Sequence, residues 1–299
     1  DESFNYIGKS YGTAIGTTYA ALFPDRVGRM VLDGVLPTDL GLEAITKQQT
    51  LGFEASLKDF AEDCITREDC PFTGNADQIV QGIRAFIEGL SQQSLRVGAR
   101  QLTSALASSA VLSYLYFPRL DYPRLRSALH DAVRAGNGAP LLSLLDERTG
   151  RGADGHYADN STDAFYAVTC LDHPYLSTVT KTSRLAKSWA QSSPTFGAGL
   201  AWGLLPCSNW PAKSSEQVAT VNSKGLSPIL IVNTTHDPAT PAVWGADLAK
   251  QLSNSKLITW DAYSHTAYRQ GSECIDNAVD AYLLQGVLPT ANLLCSGNN

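Results

Sequence analysis

Phe4-Asn-Tyr-Ile-Gly-Lys-Ser-Tyr-Gly-Thr13, continued by Ala14-Ile-Gly-Thr-Thr-Tyr-Ala-Ala-Leu-Phe23 and stopped at Pro24, decides how the rest of this sequence is read. Phe4 to Ile7 is a short apolar strand. Ala14, Gly16, Ala20 and Ala21 mark a helix of small residues that Pro24 ends. Arg29-Met-Val-Leu-Asp33 is a second apolar run, closed by Gly34, of the kind that is buried on both faces of a parallel sheet. Strand, helix and strand in so short a span form a βαβ unit.

Between the first strand and the helix stands Gly8-Lys9-Ser10-Tyr11-Gly12, a G-x-S-x-G pattern in the strand-to-helix context that gives the pattern meaning. The turn it implies is tight, so side chains at the flanking positions would clash and glycine is needed there. Ser10 is then presented above the sheet at a helix N-terminus, where the helix dipole and the Tyr11 N–H can hold a developing oxyanion.

A serine hydroxyl needs a base to take its proton and an acid to orient that base. Sheet signals return late in the chain, in Pro228-Ile-Leu-Ile-Val-Asn233 followed by Thr234-Thr-His-Asp-Pro238, and in Lys256-Leu-Ile-Thr-Trp260 followed by Asp261-Ala-Tyr-Ser-His265. Asp237 and His265 therefore fall just past consecutive strands, where open parallel sheets carry their reactive groups. The order Ser10, Asp237, His265 is that of α/β-hydrolases. Asp33, also at a strand end, is the rival acid and is expected to be a structural hydrogen-bonding residue. His130, His156, His173 and His236 fit the base position less well.

The 299 residues exceed the roughly 100–200 typical of one domain, which leaves room for a core and a sizeable insertion. The division expected is a hydrolase core over 1–36, a mainly helical insertion over 37–226, and a return to the core over 227–299 with a last helix from Glu273 to Leu284 stopped by Gly286. Within the insertion, Phe53, Leu57 and Phe60 share a helical face, as do Ile79, Ile83, Phe86, Ile87 and Leu90. Charged residues make up 17% of the chain and the formal net charge of −6 is spread without a basic run, which gives no footprint for nucleic acid or anionic membrane. No apolar stretch reaches the roughly 18 residues of a membrane span, and Asp1-Glu2-Ser3 does not open a signal sequence.

Six cysteines allow many pairings. Cys64 and Cys70 close a short loop, and Cys274 and Cys295 flank the last helix and the tail, which leaves Cys170 with Cys207. No C-x-x-C spacing marks a zinc site, so disulfides and an oxidising compartment are the expectation. Asn160-Ser-Thr and Asn233-Thr-Thr match glycosylation acceptors.

Gly8-Lys-Ser-Tyr-Gly-Thr13 with Tyr19-Ala-Ala-Leu-Phe-Pro-Asp-Arg-Val-Gly-Arg-Met-Val-Leu-Asp-Gly34 resembles the secreted tripeptidyl aminopeptidases of actinobacteria, relatives of prolyl aminopeptidases among the α/β-hydrolases. Asp237-Pro-Ala-Thr-Pro241, Ser264-His265, Cys274-Ile-Asp-Asn-Ala-Val-Asp-Ala-Tyr-Leu283, Ala167-Val-Thr-Cys-Leu-Asp172 and Leu205-Pro-Cys-Ser-Asn-Trp-Pro211 extend the similarity. The resemblance implies an α/β-hydrolase fold with a helical cap. It also implies a Ser10, Asp237 and His265 triad and the same three disulfides.

The activity implied is that of a secreted serine exopeptidase releasing short peptides from the N-terminus of its substrates, with no metal or other cofactor. Asp172 is the expected partner of the substrate ammonium. An esterase or acyltransferase using the same triad, and a non-catalytic binding protein of the same fold, are the alternatives. Lys9 departs from the family pattern, which has a small residue there. Relatives also carry well over a hundred residues before the elbow, including the first strands of the sheet and a second oxyanion donor. An N-terminal polypeptide of the same precursor, associated with this one, is therefore expected.

Overall fold

Residues two apart on a strand share a face, so an apolar run buried on both faces needs a helical layer on each side. The computed structural model, which describes residues 3–212, 214, 226–252 and 254–297, has that layering. The chain opens with β1 (Phe4–Lys9), α1 (Tyr11–Leu22) and β2 (Val27–Asp33), and enters the long helix α2 (Leu42–Ile65). Then come α3 (Ala76–Gly89), a hairpin of β3 (Leu95–Val97) and β4 (Arg100–Leu102), and the helices α4 (Ser104–Ser113), α5 (Pro118–Ala135) and α6 (Ala139–Thr149). Four more helices follow: α7 (Ser161–Asp172), α8 (Val179–Ser192), α9 (Gly197–Trp202) and α10 (Leu205–Ser208). The last part is β5 (Ile229–His236), α11 (Ala242–Gln251), β6 (Ser255–Tyr263), α12 (Glu273–Asp280) and β7 (Leu293–Cys295).

Among the described residues the main sheet has five strands in the order β1-β2-β5-β6-β7, all parallel. Its two faces read off alternate residues. Met30 and Leu32 of β2 and Ile229 and Ile231 of β5 pack with Ala20 of α1 and with Trp244 and Leu248 of α11. Val31, Leu230, Val232 and Ile258 face the other way, onto Ile275, Val279 and Tyr282 in and just after α12. This is the doubly covered parallel sheet of the α/β-hydrolase fold.

The chain divides into two compact units, Asp1–Gly52 with Ser215–Asn299, and Phe53–Ser214. The sheet and its helices make up the first. The second is helical apart from its hairpin, and Phe53, Leu57 and Phe60 are buried on one face of α2, as Ile79, Ile83 and Ile87 are on α3. Asn75 and Gln78 start α3 with a reciprocal capping box, each side chain accepting the other residue's backbone N–H. Residues 215–225 of the expected insertion lie outside the described residues.

The described residues contain three disulfides: Cys64 with Cys70, Cys170 with Cys207, and Cys274 with Cys295. Arg126, 7% exposed, clamps the first loop by pairing with Asp63 and Asp69. The third disulfide ties the N-terminal turn of α12 to β7 at the sheet edge. Among the described residues no helix is long and apolar enough to cross a membrane.

Several boundaries differ from the sequence reading. β5 runs on through Thr234 and Thr235 to His236, and β6 through Asp261 to Tyr263, because the two strands keep pairing past their apolar cores, with one irregularity between Thr234 and His236. Neither the hairpin nor β7 was foreseen, since three-residue strands carry no readable period. Asn233 is buried inside β5 with its Nδ2 donating to the Ala242 carbonyl, so this acceptor triplet is closed to modification, while Asn160 is exposed at the start of α7.

Candidate active site

β1 ends where Ser10 turns the chain into α1. Ser10 has φ 53° and ψ −122°, a left-handed conformation that costs a non-glycine residue about 1–3 kcal/mol and persists only where its surroundings impose it. Those surroundings are explicit. The Ser10 N–H donates to the Asp33 carbonyl at 2.9 Å, and the Ser10 carbonyl accepts from both the N–H and the Oγ1 of Thr13. Glycine at position 8 is required, because a Cβ there would sit 2.3 Å from the Gly12 carbonyl oxygen. Tyr6 closes the turn from below, its hydroxyl donating to that same oxygen at 2.8 Å. Tyr11 is the first residue of α1, as the motif requires.

Asp237 follows β5 and is 4% exposed, with both carboxylate oxygens occupied. Oδ1 accepts from the N–H groups of Ala239 and Thr240 at 2.9 and 2.8 Å, and Oδ2 from the Thr240 hydroxyl and the Thr266 N–H at 2.8 and 3.0 Å. His265, after β6 and 7% exposed, brings Nδ1 to 2.9 Å from Oδ1 and 3.1 Å from Oδ2. An ionised carboxylate only accepts, so it fixes the proton of a neutral imidazole on Nδ1 and makes Nε2 the accepting nitrogen.

Gly34 lies between the two loops with φ 69°, its N–H donating to the Val232 carbonyl. A Cβ there would meet the Thr240 hydroxyl at 2.8 Å and the Thr266 methyl at 3.0 Å. The glycine that ended the second apolar run is what lets the acid loop and the histidine loop close over the end of β2.

Asp33 is fully buried and accepts the N–H groups of Ala267 and Tyr268 at 2.9 Å each. Burial pushes its carboxyl up to about 6, against the lowering effect of the Tyr268 N–H, the Lys9 charge and the Ala267 N–H. It does not touch the imidazole in the way Asp237 does, in keeping with the structural role expected of it. Asp172 is exposed at the C-terminal end of α7, in the Phe53–Ser214 unit. His236 stacks on Tyr263 with ring centroids 4.1 Å apart.

Two contributors went unnoticed in the sequence. Thr240 stands three residues after Asp237, the spacing at which a side-chain carboxylate caps its own following turn, and that signal was available. Thr266 has φ 67°, rare for a β-branched residue, and nothing in its neighbours announces it.

The arrangement matches known families at both ends of the chain. Residues 1–86 match the family described as alpha/beta hydrolase fold, and residues 193–295 the family described as TAP-like protein. The chain is 33% identical over 306 residues to the serine protease Hip1 of Mycobacterium tuberculosis, covering 99% of this chain and 58% of that protein. It is 35% identical over 278 residues to carboxylesterase B of the same species, covering 92% and 53%. To the tripeptidyl aminopeptidase of Streptomyces lividans it is 28% identical over 303 residues, covering 99% and 55%. The chain thus spans little more than half the length of these relatives. Fold, elbow and matches together give the chain an α/β-hydrolase fold whose C-terminal part is similar to TAP-like proteins.

Proposed function

We propose that this chain carries the catalytic residues of a secreted serine exopeptidase that removes short peptides from the N-terminus of its substrates. Ser10 Oγ attacks the scissile carbonyl carbon while its proton passes to His265 Nε2. The tetrahedral oxyanion rests on the Tyr11 N–H at the start of α1. Collapse breaks the C–N bond as His265 returns the proton to the leaving amine, and water then cleaves the acyl-enzyme by the same route in reverse. Asp237 holds the imidazole in the Nδ1–H tautomer and stabilises its charged form. The observation that carries this reading is the buried Asp237 and His265 pair together with a strained serine in the same unit.

Asp172 is assigned to the substrate ammonium, a charge that needs a partner when it leaves water. Secretion is supported by three disulfides, which persist in oxidising compartments. Polypeptide of the same precursor is assigned to the β1 edge. What supports that assignment is the exposure of Phe4 (43%), Ile7 (38%), Ile15 (51%) and Phe23 (50%) on β1, on α1 and at its end, an apolar border that a parallel sheet ordinarily covers.

The second reading, an esterase with the same triad, is favoured by the likeness to a carboxylesterase. Tripeptidyl p-nitroanilides with free and acetylated N-termini, assayed beside short-chain p-nitrophenyl esters, separate the two. The exopeptidase reading expects turnover of the free-amine peptides and at least a tenfold loss on acetylation. Fast ester turnover with no peptide cleavage would move the esterase ahead.

A further inference from the structure

Lys9, one residue before Ser10, has specific partners in the structure. Its ammonium donates to the Tyr268 carbonyl, lies 4.0 Å from the Asp33 carboxylate and sits 5.6 Å from the centre of the Tyr268 ring. Asp33 in turn joins three strand ends. Its backbone carbonyl accepts the Ser10 N–H, and its carboxylate accepts the N–H groups of Ala267 and Tyr268, two and three residues past His265.

The segment from His265 to Tyr268 is therefore gripped by two carboxylates in succession. Asp237 takes the His265 imidazole and the Thr266 N–H, and Asp33 takes the next two amides. The outer end of the loop is tied separately. The Tyr268 hydroxyl and the Arg269 guanidinium both bond Asp280, and the Arg269 N–H donates to Asp276. Lys9 and Asp33 link this loop to the nucleophile elbow, and a buried carboxylate accepting two amides is a stiff connection.

We propose that Lys9 and Asp33 form a brace that sets the position of His265 relative to Ser10, making both of them positioning residues for the reaction. This rests on the reading of Ser10 as nucleophile. The brace fixes where the imidazole stands over the serine, a distance to which proton transfer is steep: a misplacement of about 1 Å costs roughly a hundredfold in rate. Lys9 places a cation 4.0 Å from Asp33, which offsets part of the cost of burying the charge that strengthens its two amide bonds.

The test uses the full-length protein and three variants: Lys9→Met, which keeps the length of the side chain without its charge, Lys9→Arg, and Asp33→Asn. Two readouts are taken, hydrogen exchange at the Ala267 and Tyr268 amides and the rate of Ser10 labelling by a fluorophosphonate. The brace predicts faster exchange at both amides in Lys9→Met and Asp33→Asn. It also predicts labelling slowed by roughly ten- to a hundredfold with binding of the probe little changed, and substantial recovery in Lys9→Arg. Lys9 is partly exposed, so Lys9→Met is expected to fold even if Asp33→Asn does not. Unchanged exchange and unchanged labelling in Lys9→Met would overturn the proposal. A lowered melting temperature with wild-type labelling of the folded molecules would overturn the positioning role. If the wild-type protein itself is not labelled, the reading of Ser10 fails, while the exchange experiment still decides whether the brace exists.

Discussion

The site turns on single atoms whose environments differ sharply. Asp237 is surrounded by five donors and Asp33 by two amides and a more distant ammonium, although both are buried carboxylates at strand ends. Burial raises the Asp33 carboxyl from 3.8 to about 6, with Lys9, the Tyr268 and Ala267 amides and the Asp237 charge acting on it as smaller influences. The unfolded chain releases this proton at lower pH than the native one, so ionising Asp33 opposes folding. Its contribution is most favourable below about pH 4 and is lost as pH rises towards 6. Asparagine does not titrate, so the stability of Asp33→Asn relative to wild type is expected to rise by about 2 kcal/mol between pH 4 and pH 7. Urea unfolding at the two pH values measures it, and a difference that does not change with pH would contradict the buried-carboxylate account. Ser10, Asp237 and His265 stand out in the sequence because each follows an apolar run and their order is distinctive. The partners of Asp33 do not, since its donors lie 234 and 235 positions away and no local pattern encodes them.

At the scale of elements, the elbow depends on how closely α1 approaches β1. A Cβ at Gly8 would lie 2.3 Å from a backbone oxygen of α1, whereas one at Gly12 would lie 3.2 Å from the Tyr6 hydroxyl, the movable end of a side chain. Gly8→Ala is therefore expected to destabilise the protein by about 1–3 kcal/mol and to abolish Ser10 labelling, with Gly12→Ala much milder in both respects. Melting temperatures and probe labelling of the two variants check this, and equal effects would mean that the elbow is not held by that contact. The βαβ unit and the alternation of faces in β2 and β5 are legible because period and punctuation agree. The ends of β5 and β6 are not, because Thr234 and His236 extend the ladder without an apolar signal.

For the molecule as a whole, the sheet has an apolar β1 border at one edge and a stapled β7 at the other. The Cys274 to Cys295 disulfide spans 21 positions, and a crosslink closing such a loop is worth about 3 kcal/mol. Replacing both cysteines by serine is expected to lower stability by that order and to speed hydrogen exchange at Leu293 to Cys295, whereas unchanged exchange would show that β7 holds by its ladder alone. The β1 border carries the opposite expectation. With the proposed covering polypeptide present, exchange at Phe4 to Lys9 should be slower than without it, and equal rates would argue against a covering segment. The proposed function rests on Ser10 as the nucleophile. Intact-mass spectrometry before and after a fluorophosphonate probe tests that claim most directly, with Ser10→Ala as control. The account predicts one adduct on the wild-type chain and none on the variant. A folded wild-type protein that takes no adduct, or a Ser10→Ala variant that takes one, would contradict it.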